Sequence, residues 1–245
     1  MSRIPRKLPF KLLKKHKTLR ELVEQSQLKF VNMEIKTFHF NPIMVNTYIL
    51  SDETGEAIIV DPGNCQTYED EQIREYVASR NLKIKYIINT HPHIDHIAGN
   101  PWCMAEYHPE LLMHEAGMSI YNKAYAYAVA FGLSIDNMPQ PDRYLREGDE
   151  VFFGNQRLKV FYTPGHCDGS ICLYSAENKL IITGDLIFEM CVGRSDLPTG
   201  NEALLQQSIQ TAIFTLEDDV TILSGHGGPT TVGQERRDNP YIWKN

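Results

Sequence analysis

The sequence has no apolar run approaching the ~20 residues that a helix needs to cross a bilayer. Its basic start is not followed by the apolar segment of a secretory leader. Both absences lead us to expect a cytoplasmic protein without a membrane span. Cysteine is sparse: five in 245 residues, an odd number with no C-x-x-C pair. That excludes a disulfide framework and fits a reducing compartment. Net positive charge is missing too. The formal charge is −7, which opposes binding to polyanionic nucleic acid, so none is expected as a partner. No internal repeat or low-complexity stretch is visible. The composition, 42% hydrophobic over 245 residues, suffices for one sizeable core.

Charge is unevenly spread. Residues 1–32 hold nine Lys/Arg and two Asp/Glu, a net of +7, which leaves −14 on the remainder. Leu8-Phe10, Leu12-Leu13, Leu19 and Leu22-Val23 could give this stretch a short amphipathic helix. We read it as a basic N-terminal extension outside the fold. A basic arm packed on an anionic surface and an organelle-targeting segment are the competing readings. The domain is then 33–245.

What is present is histidine in an unusual arrangement. Thr90-His91-Pro92-His93-Ile94-Asp95-His96 places four metal-ligand side chains within six residues, directly after the apolar run Tyr86-Ile87-Ile88-Asn89. Three imidazoles and a carboxylate so close repel one another when the rings are protonated. A divalent cation converts that repulsion into coordination, because neutral imidazole and ionised carboxylate are ordinary zinc ligands. Three further residues follow strand-like runs: His166 in Thr163-Pro164-Gly165-His166, Asp185 in Thr183-Gly184-Asp185, and His226 in Ser224-Gly225-His226. A small residue before each lets the backbone turn and aim the side chain into a shared cleft. Singly each is a common surface or turn residue. Together they place five of the nine histidines in one site. Seven ligands exceed the four of one tetrahedral ion, so two ions are expected.

The order H-x-H-x-D-H, His, Asp, His resembles the metallo-β-lactamase-fold hydrolases. Within them it is most similar to the glyoxalase II (hydroxyacylglutathione hydrolase)-like branch. The likeness runs from about Met33 to Asn239 and includes Ile58-Ile59-Val60-Asp61-Pro62-Gly63, Gly193-Arg194-Ser195-Asp196 and the run Gly225–Glu235. It implies a four-layer αββα sandwich of the α/β (α+β) class. It implies that His91, His93 and His166 hold one metal, that Asp95, His96 and His226 hold the other, and that Asp185 bridges. Zinc is the first expectation, with iron and manganese open. The implied reaction is hydrolysis of a thioester or related ester in a small-molecule substrate by a metal-bridging hydroxide, with Asp95 and Asp185 able to pass protons. Arg194 falls where the family places a basic residue near the substrate; a structural salt bridge is the competing role. The chain continues nineteen residues past His226, so the likeness does not reach the helical domain that contributes glutathione contacts in glyoxalase II proper. A mononuclear-iron persulfide dioxygenase is the alternative. A non-catalytic metal-binding protein of the same fold is less favoured, because all seven positions are intact.

Other residues have balanced roles. Asp61 either initiates a turn or orients a ligand histidine. Cys167 is expected to point away from the site as a structural thiol. His39, His108 and His114 are expected to be ordinary surface or core residues. For the backbone we expect an antiparallel meander over Lys36-Phe40, Thr47-Leu50 and Ala57-Asp61, then a helix from Glu69 to Arg80 capped by Thr67. Hairpins are expected over 150–162 and 171–183, and a last long helix capped by Asn201 with an apolar stripe through Leu205, Ile209, Ala212, Ile213 and Leu216. Met118 to Leu133, rich in tyrosine and alanine, reads as one helix and a possible lid over the cleft.

Overall fold

Successive strand residues in the sequence point to opposite faces, and most strands here are apolar on both. Strands of that kind need cover on each side. A computed structural model of the chain describes residues 33–133, 135 and 137–243, and the backbone of 27–30. Its first sheet is β1 (Gln27–Phe30), β2 (Met33–Phe40), β3 (Val45–Ser51), β4 (Glu56–Val60), β5 (Lys83–Ile88), β6 (Glu110–Met113) and β7 (Arg143–Tyr144), in that spatial order. The pairs β1 to β4 are antiparallel and the pairs β4 to β7 parallel. The second sheet is built from β8 (Glu150–Phe153), β9 (Gln156–Tyr162), β10 (Ile171–Ser175), β11 (Leu180–Gly184), β14 (Thr221–Ser224) and β15 (Thr230–Thr231). All its pairs are antiparallel except β11 with β14. A small ribbon, β12 (Ile187–Phe188) with β13 (Cys191–Val192), stands apart.

Alternation along the strands divides the interior into three cores. Tyr48, Leu50, Ile58 and Val60 face Ile171, Leu173, Leu180 and Ile182 between the sheets. Their neighbours Ile49, Ala57 and Ile59 face outward under helices α1 (Thr67–Ser79), α2 (Ile94–Ile97), α3 (Asn100–Tyr107), α4 (Met118–Tyr121) and α5 (Ala124–Phe131). On the far side Cys172, Ile181 and Ile222 pack under α6 (Glu202–Ser208) and α7 (Val232–Asp238). Helices, sheet, sheet, helices: this is the expected αββα sandwich. No helix among the described residues is long and apolar enough to cross a membrane.

Some local expectations are corrected. The first helix starts at Thr67, and Gln66 is its cap. The buried Glu69 carboxylate fixes that start by accepting from the backbone N–H of Asn41 (2.8 Å), Cys65 (2.7 Å) and Gln66 (3.2 Å). Asn201 does cap α6, accepting from Leu204 N–H at 3.0 Å. That helix passes into a π-helical turn at Ile209–Ile213, which keeps Leu205, Ile209 and Ile213 buried, and it is followed by α7. The segment 118–133 is two helices, broken at Asn122-Lys123. β1 lies within the segment 1–32 and pairs antiparallel with β2, Gln27 opposite Lys36. The amphipathic stretch read at 8–23 lies outside the described residues.

Leu173 is fully buried between the sheets, whereas Phe152 on edge strand β8 is 53% exposed. Leu173→Ala is expected to lower unfolding stability by about 2–5 kcal/mol, and Phe152→Ala by no more than about 0.5 kcal/mol. Denaturant titration of both variants measures the contrast.

Candidate metal centre

Strand ends deliver every candidate ligand to one edge of the sandwich. β5 ends at Ile88, and the chain turns through Asn89-Thr90 into the His91-Pro92-His93 loop. His93 is the N-cap of α2, whose four residues carry Asp95 and His96. His166 follows β9, Asp185 follows β11 and His226 follows β14. The approach is tight enough to require glycine. A Cβ on Gly225 would lie 2.1 Å from Asp185 Oδ1, and one on Gly184, at φ +50°, 2.4 Å from Thr90 Oγ1. The two sheets are joined at this edge. Asn46 N–H donates to Gly225 O (2.7 Å), its side chain to Ser224 O (2.9 Å), and the Tyr48 hydroxyl to Ser224 O (2.6 Å).

Two triads result. The ligand atoms of His91, His93 and His166 lie within 4.8 Å of one another, and so do those of Asp95, His96 and His226. The Asp185 carboxylate stands between them. Its Oδ1 is 3.3 Å from His96 Nε2, and its Oδ2 is 3.6 Å from His226 Nε2 and 3.8 Å from His166 Nε2. Asp95 Oδ2 is 3.2 Å from His226 Nε2. The seven residues singled out in the sequence are therefore assembled in one place.

Four of the five rings are held by the nitrogen that faces away from the centre. His96 Nδ1 donates to Asp61 Oδ2 (2.9 Å), and His166 Nδ1 to the Arg194 carbonyl (2.8 Å). His91 Nδ1 lies 3.1 Å from Thr90 Oγ1, which donates its own proton to Asp61 Oδ2 (2.6 Å). His226 Nδ1 faces Met44 O at 3.3 Å. These four present Nε2 to the centre, while His93 presents Nδ1, 2.8 Å from His166 Nε2. Fixing the tautomer this way prepares imidazole for coordination. Asp61 is thus an orienting residue, holding His96 directly and His91 through Thr90. It also accepts from Thr90 N–H (2.7 Å), so its carboxylate is already occupied although it lies beside His91 and His96. Its backbone sits at φ +51°, an uncommon conformation. The backbone bond from Asp61 N–H to Ile88 O (3.0 Å) and the Thr47 hydroxyl on its carbonyl (2.6 Å) hold it there.

Thr90 is the residue whose role the sequence did not reveal; its one signal is that it directly precedes the first ligand. Asn41 is another. Its side chain donates to Gly63 O and Asp95 O, both at 3.0 Å, and anchors the loop under Asp95.

Burial and mutual charge set the protonation of the cluster. Burial, reinforced by the neighbouring imidazoles, keeps His91 below the usual histidine range and takes His93 to about 4, and burial keeps His166 below that range against the opposing pull of Asp185 and the Arg194 carbonyl. Burial also disfavours charge on His96, but Asp95, Asp185 and Asp61 outweigh it and hold that ring well above the usual value. His226 is raised against its burial by Asp95 and Asp185. Both carboxylates are buried, yet the charges of nearby histidines, His96 foremost, keep Asp95 and Asp185 below the ordinary carboxylate range. Neutral rings and ionised carboxylates are the forms a cation binds. His91 Nε2, His96 Nε2 and Asp185 Oδ1 are buried without a hydrogen bond. Buried polar atoms are normally paired, and a divalent cation in each triad would satisfy all three. The residues fit the group.

The remaining sequence candidates sort cleanly. Cys167 is fully buried with its Sγ 3.4 Å from Ser170 Oγ. Burial pushes its thiol up to about 12. Arg194 lines the cleft, and its guanidinium makes two 2.8 Å bonds to Asp196. His39 bonds Asn46 (2.7 Å), His108 closes α3 in a left-handed conformation, and His114 caps a short turn and stacks on Tyr162.

A sandwich of two mixed sheets with His/Asp triads at one edge defines a metallo-hydrolase, and comparison with known sequences gives its lineage. The chain belongs to the metallo-β-lactamase superfamily, whose family model matches residues 40–226. It is 37% identical over 210 residues to an uncharacterized protein of Aquifex aeolicus, across 85% of this chain and 97% of that one. It is 30% identical over 212 residues to hydroxyacylglutathione hydrolase GloC of Haemophilus influenzae, across 86% and 98%. Among solved structures, TTHA1623 in a di-iron-bound form superposes with a TM-score of 0.76 at 30% identity, covering 84% of this chain and 99% of that one.

Two outcomes follow from this geometry. Asp61→Ala removes the acceptor for His96 and for Thr90, and metal affinity is expected to fall about 10–100-fold, measured by competition with a chelating dye. The metal-free protein should lose stability as pH falls from about 6.5 to 4. His91, His93 and His166 are depressed when folded, so in that window the unfolded chain takes up protons that the folded chain refuses. His96 and His226, raised when folded, oppose this loss only near the top of the window, where the unfolded histidines are still partly neutral, and two such groups do not cancel three. Melting temperature against pH in the presence of a chelator reads this out.

Proposed function

We propose that the chain is a binuclear metal-dependent hydrolase of thioesters. One observation carries the reading: the Asp185 carboxylate faces both triads at the floor of a cleft of about 390 Å³. The name of the Haemophilus influenzae relative, hydroxyacylglutathione hydrolase, supports the thioester class. His91, His93 and His166 would hold one ion and Asp95, His96 and His226 the other, with Asp185 shared. When bound, the ions would supply a water activated near neutral pH and a Lewis acid for the carbonyl oxygen.

The side chains do the rest. Asp61 and Thr90 keep the His96 and His91 rings aimed at the centre. Asp95 and Asp185 begin ionised, so each is a ligand first and a proton acceptor second. The Arg194 carbonyl fixes His166, while its guanidinium at the cleft mouth can meet an anionic end of the substrate. The buried Cys167 thiol is too weakly acidic to be a nucleophile.

A panel of acyl thioesters, oxygen esters and a β-lactam tests this. Thioesters should be preferred, and kcat/KM should fall on the acid side as ligand histidines take up protons. Asp185→Asn should lower kcat/KM by more than the roughly 100-fold that losing an orienting partner costs. Cys167→Ala should retain activity, and Arg194→Ala should raise KM for anionic thioesters more than it lowers kcat. Oxygen-dependent consumption of glutathione persulfide by a protein holding one iron would replace this reading with the dioxygenase.

A further inference from the structure

The walls of the cleft are of different chemistry from its floor. Apart from the ligand residues, the only charged side chain lining it among the described residues is Arg194, which Asp196 already holds by two bonds. The other walls are apolar except for the Tyr127 hydroxyl and come from segments far apart in the sequence. Ile43 comes from the turn between β2 and β3, Ile120 from α4, Tyr127 and Phe131 from α5, Phe188 from β12 and Leu197 from the loop before α6. Two of these stand open at the rim, Phe131 59% and Ile43 39% exposed. Five parts of the chain thus turn side chains toward one metal centre, and at the rim their apolar surface is left uncovered. Uncovered apolar surface in a concave site is a ligand-binding feature, since whatever covers it gains in proportion to the area removed from water.

We infer that the cleft selects substrates by an apolar acyl group, and that the preferred thioesters carry a medium-length aliphatic or aromatic acyl chain in place of a small hydroxyacyl group. This rests on the thioester hydrolase reading and deepens it. A lactoyl group would bring a hydroxyl to a wall with almost nothing to pair it, and would leave Phe131 and Ile43 in water. The two carboxylates of a glutathione leaving group would meet one cation, itself already paired. A chain of methylenes has the opposite balance: it covers the rim and asks for no hydrogen bond. The break at Asn122-Lys123 and the left-handed Gly132 at φ +68° bound the short helix that carries Tyr127 and Phe131. That helix therefore stands as a separate wall against which the chain would lie.

The test holds the leaving group constant. With acetyl, butanoyl, hexanoyl and octanoyl thioesters of N-acetylcysteamine, kcat/KM of the metal-loaded enzyme should rise about two- to fourfold per added methylene until the cleft is filled. Binding of the corresponding carboxylates, followed by calorimetry, should strengthen along the same series without turnover. Phe131→Ala, at an exposed position, should lower the octanoyl-to-acetyl ratio in both measurements, and Phe131→Leu should restore most of it. A flat or falling series, with thioesters still hydrolysed, would overturn the apolar-acyl inference and leave the hydrolase standing. Failure of every thioester, with metal bound, would overturn the hydrolase reading and this inference with it.

Discussion

The Asp61 carboxylate is the point on which the site depends. It is buried, and it accepts from the Thr90 backbone, the Thr90 hydroxyl and His96. A buried carboxylate is tolerated only when so engaged. In return it fixes one ring of each triad, His96 directly and His91 through Thr90. Asp61 also ties the end of β4 to the end of β5, because its backbone N–H donates to Ile88 O. The unusual backbone conformation at Asp61 is thus kept by bonds on both sides, as strained positions at functional sites generally are.

The rest of the sandwich brings the second sheet to that point. Parallel pairing of β4 with β5 and of β11 with β14 sends neighbouring strand ends the same way, so Asp61, the His91–His96 run, Asp185 and His226 emerge on one edge. The Asn46 and Tyr48 bonds to Ser224 and Gly225 close the seam between the sheets. Glycine at 184 and 225 lets the two edges approach until Asp185 reaches both triads. The mutual charges leave the cluster mixed before any cation enters: His91, His93 and His166 are held toward the neutral form, while His96 and His226 are held toward the charged form by the ionised Asp95 and Asp185.

Much of this was legible in the residues. The H-x-H-x-D-H run and the three strand-end ligands name all seven members of the cluster, and the family resemblance those motifs carry implied the αββα sandwich. What was hidden depends on contacts distant in sequence. Nothing near Gln66 says that Glu69 will be anchored by Asn41, so Thr67 looked like the cap. The alanines and tyrosines of 118–133 favour helix throughout; the break at Asn122-Lys123 goes with Tyr121 turning into the core, its hydroxyl on Pro139 O. Thr90 reads as an ordinary strand-end threonine until Asp61 is seen beside it. The lining of the cleft was the least legible feature, because its walls come from five segments that share no local pattern.

The chemistry proposed for the site requires two cations, one in each triad, with Asp185 common to both. Elemental analysis of the folded, metal-loaded protein tests that claim most directly. Two metals per chain, falling to one when Asp95 and His226 are both replaced by alanine, is the result the account predicts. One metal per chain in the wild type, unchanged by those two substitutions, would contradict it.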